Sequence, residues 1–68
     1  MPVTLYQFGG GSVVKAVYAG RQVILDRTEA PEALTDQVRN HLNLPEHAIP
    51  EVVDAIVRMP EQKFSIRV

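Results

Sequence analysis

The sequence predicts a small α+β domain in which two helices cover one face of a three- to four-stranded, mostly antiparallel sheet, in the order β-β-β-α-α-β. Three observations carry that expectation. The first third of the chain is rich in β-branched and aromatic residues and is broken by glycines. The middle holds two segments that open on proline and repeat apolar residues at helical spacing. The final residues alternate apolar and polar side chains with the period of a strand.

Val3 to Phe8 is the first strand, ended by Gly9-Gly10-Gly11, where the backbone has too much freedom to hold a regular element. Val13 to Tyr18 and Gln22 to Leu25 are strand-forming runs on either side of Ala19-Gly20-Arg21, which reads as a hairpin turn. A rival assignment makes residues 12–19 a short helix capped by Ser12, with Val13, Val14, Val17 and Tyr18 on one face, giving β-α-β-α-α-β. Crowded β-branched residues favour the extended form.

Pro31 suits the first helical position, and Leu34, Val38, His41 and Leu42 make an apolar stripe to about Leu42, with Thr35 as an alternative cap. Asn43 and Leu44-Pro45 end that helix, because the residue before proline avoids the α region. Pro50 announces a second helix with Val52, Val53, Ile56 and Val57 as its buried face, stopped at Met59-Pro60. Phe64, Ile66 and Val68, alternating with Lys63, Ser65 and Arg67, form the last strand. It is expected beside the first strand or at an edge.

The 68 residues hold one domain, since separate cores rarely form below about 40 residues. So short a chain has a thin stability margin, and a homodimer or a larger partner would supplement its core. The sequence contains no cysteine, which removes disulfides, thiolate metal sites and cysteine nucleophiles and points to a reducing, cytoplasmic setting. No run approaches the roughly 18 apolar residues that a membrane helix requires.

Charge is uneven along the chain. Residues 1–27 carry Lys15, Arg21 and Arg27 against Asp26, a balance of +2. Residues 28–62 carry Arg39 and Arg58 against Glu29, Glu32, Asp36, Glu46, Glu51, Asp54 and Glu61, a balance of −5, and the last six residues add Lys63 and Arg67. The expected domain is therefore polar, with a weakly basic sheet and an acidic helical layer.

The motifs that would carry chemistry are incomplete. Gly9-Gly10-Gly11-Ser12 lacks the lysine directly after its last glycine that a phosphate loop needs, and reads as a connector. His41 and His47 stand six positions apart with a proline between them, which is not a metal-ligand spacing; His41 is expected to border the core and His47 to be solvated. Neither Ser12 nor Ser65 lies in a nucleophile-elbow context. No catalytic, cofactor or metal residue is assigned.

The function expected is therefore that of a non-enzymatic protein-interaction module, a regulator or inhibitor. It would act through its charged surface and a strand edge, with Glu32, Asp36, Arg39 and Asp54 meeting a basic protein surface. The alternative is nucleic-acid binding by the outer face of the sheet, with Lys15, Lys63 and Arg67 on phosphates and Tyr6 and Tyr18 stacking on bases. A small enzyme ranks third.

Overall fold

The run of valines and aromatics before Arg21 settles as strand rather than helix. In the computed structural model, which describes residues 1–59 and 61–68, the elements are β1 Pro2–Phe8, β2 Val13–Tyr18, β3 Arg21–Asp26, α1 Pro31–Leu42, α2 Ile49–Arg58 and β4 Lys63–Arg67. Every neighbouring pair of strands is antiparallel, and the lateral order is β3-β2-β1-β4. The last strand thus lies beside the first and also forms an edge. The hairpin turn is Ala19-Gly20, with φ of 49° and 81° at the two residues. Two left-handed residues in succession match the right-handed twist of the strands they join, and glycine takes the second without strain.

Even-numbered residues of β2 and odd-numbered residues of β1 face the helices. Val3, Leu5, Val14, Ala16, Val23, Leu25 and Ile66 are buried there against Leu34, Val38 and Leu42 of α1 and Ile49, Val52, Val53 and Ile56 of α2. Each helix contributes one stripe at spacings of three and four, and no polar side chain is buried among the described residues. α1 packs on β3 and α2 packs beside α1.

Three details depart from expectation. His41 is exposed, with Nδ1 3.1 Å from the Gln37 carbonyl, because the buried stripe of α1 runs Leu34, Val38, Leu42 and leaves position 41 at its rim. Val57 is 43% exposed and Ala55 takes its place in the core, since Ile49, Val52, Val53 and Ile56 already define the inward direction of α2. Thr35 does not cap α1; its hydroxyl donates to the Pro31 carbonyl one turn back, at 2.8 Å. Met59 caps α2 in the left-handed region, its N–H donating to the Ala55 carbonyl at 2.7 Å, while Pro60, the expected stop, lies outside the described residues.

Candidate functional site

The sheet has two edges, β4 and β3, and each leaves backbone groups open. Gln7 N–H donates to the Gln62 carbonyl at 2.8 Å, just before the register that pairs Tyr6 with Lys63, Leu5 with Phe64 and Val3 with Ile66. Hydrogen-bonded pairs alternate along an antiparallel ladder. The bonds from β1 to β4 therefore fall at Leu5–Phe64 and Val3–Ile66, and the N–H and C=O groups of Lys63, Ser65 and Arg67 point away from β1 toward the open side. Pro2 fits the same alternation: its missing N–H would face past the end of β2, where no ladder bond is due.

The opposite edge, β3, has six residues against the five of β4. Arg27 N–H donates to the Ser12 carbonyl at 3.1 Å, which sets the β2–β3 alternation and turns the backbones of Gln22, Ile24 and Asp26 outward. Asp26 is already engaged. Its carbonyl accepts from Glu29 N–H at 3.1 Å, and its Oδ1 accepts from the Thr28 hydroxyl at 2.6 Å and the Thr28 amide at 2.9 Å. These bonds, the hydroxyl's first, hold the Asp26 carboxyl below its ordinary pKa.

Beside the β4 edge, on the helix side, lies an open groove of about 630 Å³. Phe64, Ile66 and Ala55 give it an apolar floor, Glu51, Asp54 and Arg58 of α2 form one wall, and Arg67 stands at its rim. Asp54 pairs with Arg58 at 3.2 Å, one turn along α2, whereas Glu51 has no ion-pair partner among the described residues. A strand laid along β4 would insert alternate side chains into this groove and place the others on the outer face of the sheet.

That outer face is uncovered. Across it the register aligns Lys63, Tyr6, Lys15 and Ile24 in one row, with Ser65, Thr4, Val17 and Gln22 in the next. The ammonium groups of Lys63 and Lys15 lie 5.6 and 5.9 Å from the Tyr6 ring centre, one on each side. Arg67 belongs to the same face, opposite Pro2. Four of the five residues expected to serve nucleic acid are therefore together. Tyr18 is not: it follows Val14 and Ala16 onto the helix side and packs partly buried against the core.

The residues expected to meet a basic protein partner are less well gathered. Glu32, Asp36 and Arg39 follow one another along α1, but Asp54 is on α2 beside β4. Arg39 is engaged by the chain itself, its Nε and Nη2 donating to the two Glu46 carboxylate oxygens at 2.9 and 3.1 Å, with Asp36 at 3.5 Å. The fork of hydrogen bonds, then the opposite charge, holds the Arg39 pKa up and the Glu46 pKa down.

One structural cation escaped attention in the sequence. Arg27 reaches from the end of β3 to both the Gly11 carbonyl, at 3.0 Å, and the Val57 carbonyl at the end of α2. It joins the glycine loop to the helix layer and satisfies a terminal helix carbonyl. Its spacing from both partners gives no sequence signal.

No three His, Asp or Glu side chains come together as a metal-binding group among the described residues, and no helix is long and apolar enough to cross a membrane. Comparison with family models, with curated proteins and with solved structures finds no match for the chain.

Proposed function

We propose that the chain is a small non-enzymatic protein-interaction module, a regulator or inhibitor, that takes an extended segment of a partner protein as a fifth strand beside β4. The observation that carries this reading is the coincidence of three consecutive outward-facing backbone positions, Lys63, Ser65 and Arg67, with an apolar-floored groove along the same edge. Main-chain hydrogen bonds would supply affinity, and alternate side chains in the groove would supply selectivity. On this reading the acidic helices shape the field through which a partner approaches, and Glu32 and Asp36 are not contact residues.

The test is selection of random displayed heptapeptides on the folded chain, followed by amide hydrogen exchange of the chain with a selected peptide bound. Exchange is expected to slow at Lys63, Ser65 and Arg67. Protection confined to the helical surface would overturn the strand-edge reading.

The placement of Tyr6 between Lys15 and Lys63 on the open sheet face favours a second reading, in which single-stranded nucleic acid stacks on that ring. A labelled oligothymidylate titrated at low and raised salt tests it; binding that does not weaken with salt would exclude phosphate recognition by these lysines.

A further inference from the structure

The geometry points to a partner strand of defined pattern: acidic, apolar, small polar, apolar, acidic, running antiparallel to β4 with its central residue opposite Ser65. This rests on the strand-edge reading above and adds the partner's chemistry. Because the outward backbone groups belong to Lys63, Ser65 and Arg67, those residues form the hydrogen-bonded pairs with an incoming antiparallel strand. The partner residues opposite Lys63 and Arg67 have their side chains on the outer sheet face, directly across from two cations, where a carboxylate is favoured and a second cation is opposed. The partner residues opposite Phe64 and Ile66 point the other way, into the groove floored by Phe64, Ile66 and Ala55. On the groove wall Asp54 is paired with Arg58, so Glu51 is the acid there without an ion-pair partner among the described residues, and it disfavours a second acid beside it. The outer-face cations and the apolar groove floor therefore place the acids at alternate positions.

A second copy of this chain fits the edge poorly. The register that pairs all five residues of β4 with the same strand of another copy centres on Ser65 and sets Lys63 opposite Arg67 twice. Cations on an edge strand of this kind protect it from its own kind while leaving it open to an acidic strand.

The experiment uses the full chain and two labelled, end-blocked peptides, Thr-Glu-Val-Thr-Ile-Glu-Thr and the same sequence with lysine at both glutamates, followed by fluorescence anisotropy at low salt. The glutamate peptide is expected to bind roughly tenfold more tightly than the lysine peptide, with the gap narrowing in high salt. Ser65→Pro removes an outward N–H that β1 does not use, and is expected to weaken the glutamate peptide roughly tenfold. Should that variant fail to fold, N-methylation of the peptide's central threonine removes the matching donor from the other side, whereas N-methylation of its isoleucine, whose N–H faces away from β4, leaves affinity unchanged.

Equal binding of both peptides, lost with Ser65→Pro or with the threonine N-methyl, overturns the charge pattern and leaves the strand-edge reading in place. Binding that survives both backbone changes overturns the pattern and the strand-edge reading together. No binding of either peptide, or protection of the β4 amides by self-association of the chain alone, overturns the acidic-strand inference.

Discussion

The two edges of this sheet are built from similar residues but end in different states. At β3 a turn engages one outward carbonyl, since the Asp26 carbonyl and carboxylate bind Glu29 and Thr28, while both backbone groups of Gln22 and Ile24 remain open. α1 packs over that side. At β4 three outward positions remain, and the neighbouring helix leaves a groove rather than covering it. The side chains differ as well: β4 carries Lys63 and Arg67 on the open face, whereas β3 carries Ile24, 62% exposed. An edge is thus made available or withdrawn by what happens one or two residues beyond it, more than by the strand itself.

The contrast depends first on α1 staying over β3. Leu34 is fully buried beneath it, and Leu34→Ala should cost about 2–5 kcal/mol through lost contacts and the cavity left behind. A domain of this size has roughly 0.05–0.15 kcal/mol of stability per residue, so the loss takes much of the total. Chemical denaturation checks the magnitude. Amide exchange should quicken at Val23 and Leu25, whose N–H groups face β2, more than at Phe64 and Ile66, whose N–H groups face β1; equal acceleration at both strands would show that α1 does not distinguish them.

Arg27 provides the next largest effect, because it ties the glycine loop to the end of α2, the helix that walls the β4 groove. Arg27→Ala leaves the Val57 and Gly11 carbonyls to solvent and should cost about 1–2 kcal/mol, the discounted value of charge-assisted hydrogen bonds at a half-buried site. The melting temperature should fall by roughly 4–8 °C for each kcal/mol in a domain this small. Arg27→Lys, which cannot reach both carbonyls with one planar group, should recover only part of the loss.

How much of this was legible beforehand varies by element. The order of the elements, the α1 boundaries and the inward face of β4 follow from period and punctuation, which are local properties: Pro31 fixes a start, Asn43 adopts the left-handed cap, and Phe64 and Ile66 alternate with charge. The placement of Lys15, Lys63, Arg67 and Tyr6 on one face is also a matter of counting by twos. The same count puts Tyr18 on the other face, since it stands three positions from Lys15 on β2 and turns inward with Val14 and Ala16, so its grouping with Lys15 was already at odds with the sequence. The β4 edge was nameable only as a general hazard. Which backbone groups it exposes depends on the Gln7–Gln62 bond, a contact between distant residues with no pattern in the sequence.

A smaller effect, of opposite sign, sits at the hairpin that sets the register of β3. Ala19 is held at φ 49° in the first turn position, where an L-residue other than asparagine, aspartate or glycine is strained. Ala19→Asn should stabilise the chain by about 0.5–1 kcal/mol, read as a raised denaturation midpoint with an unchanged slope. Since the turn joins β2 to β3 and does not touch β4, exchange at Phe64 and Ile66, the β4 amides bonded to β1, should slow only as global stability rises.

The smallest effect is the most selective between the edges, and it comes from acid. Hydrogen bonds from Thr28 hold the folded Asp26 carboxyl below its ordinary pKa, so the ionised form is favoured in the fold. A carboxyl with a depressed folded pKa contributes stability that is present above its unfolded value, near 4 for an aspartate, and is lost as pH falls through the folded value. Glu46, held down by Arg39, follows the same sign but belongs to the connection between α1 and α2. Lowering pH from neutral should therefore leave both edges unchanged until the ordinary carboxylate range is reached. Below that range the Asp26 turn loosens, and exchange at Thr28 and Glu29 quickens while Ile66, bonded to β1, keeps its rate relative to the global value. Asp26→Asn should reproduce the loosened turn at neutral pH and remove its acid dependence. If the variant instead retains wild-type exchange at Thr28 and Glu29, the closure of the β3 edge owes nothing to the carboxylate, and the turn's backbone bond from Glu29 to Asp26 accounts for it alone.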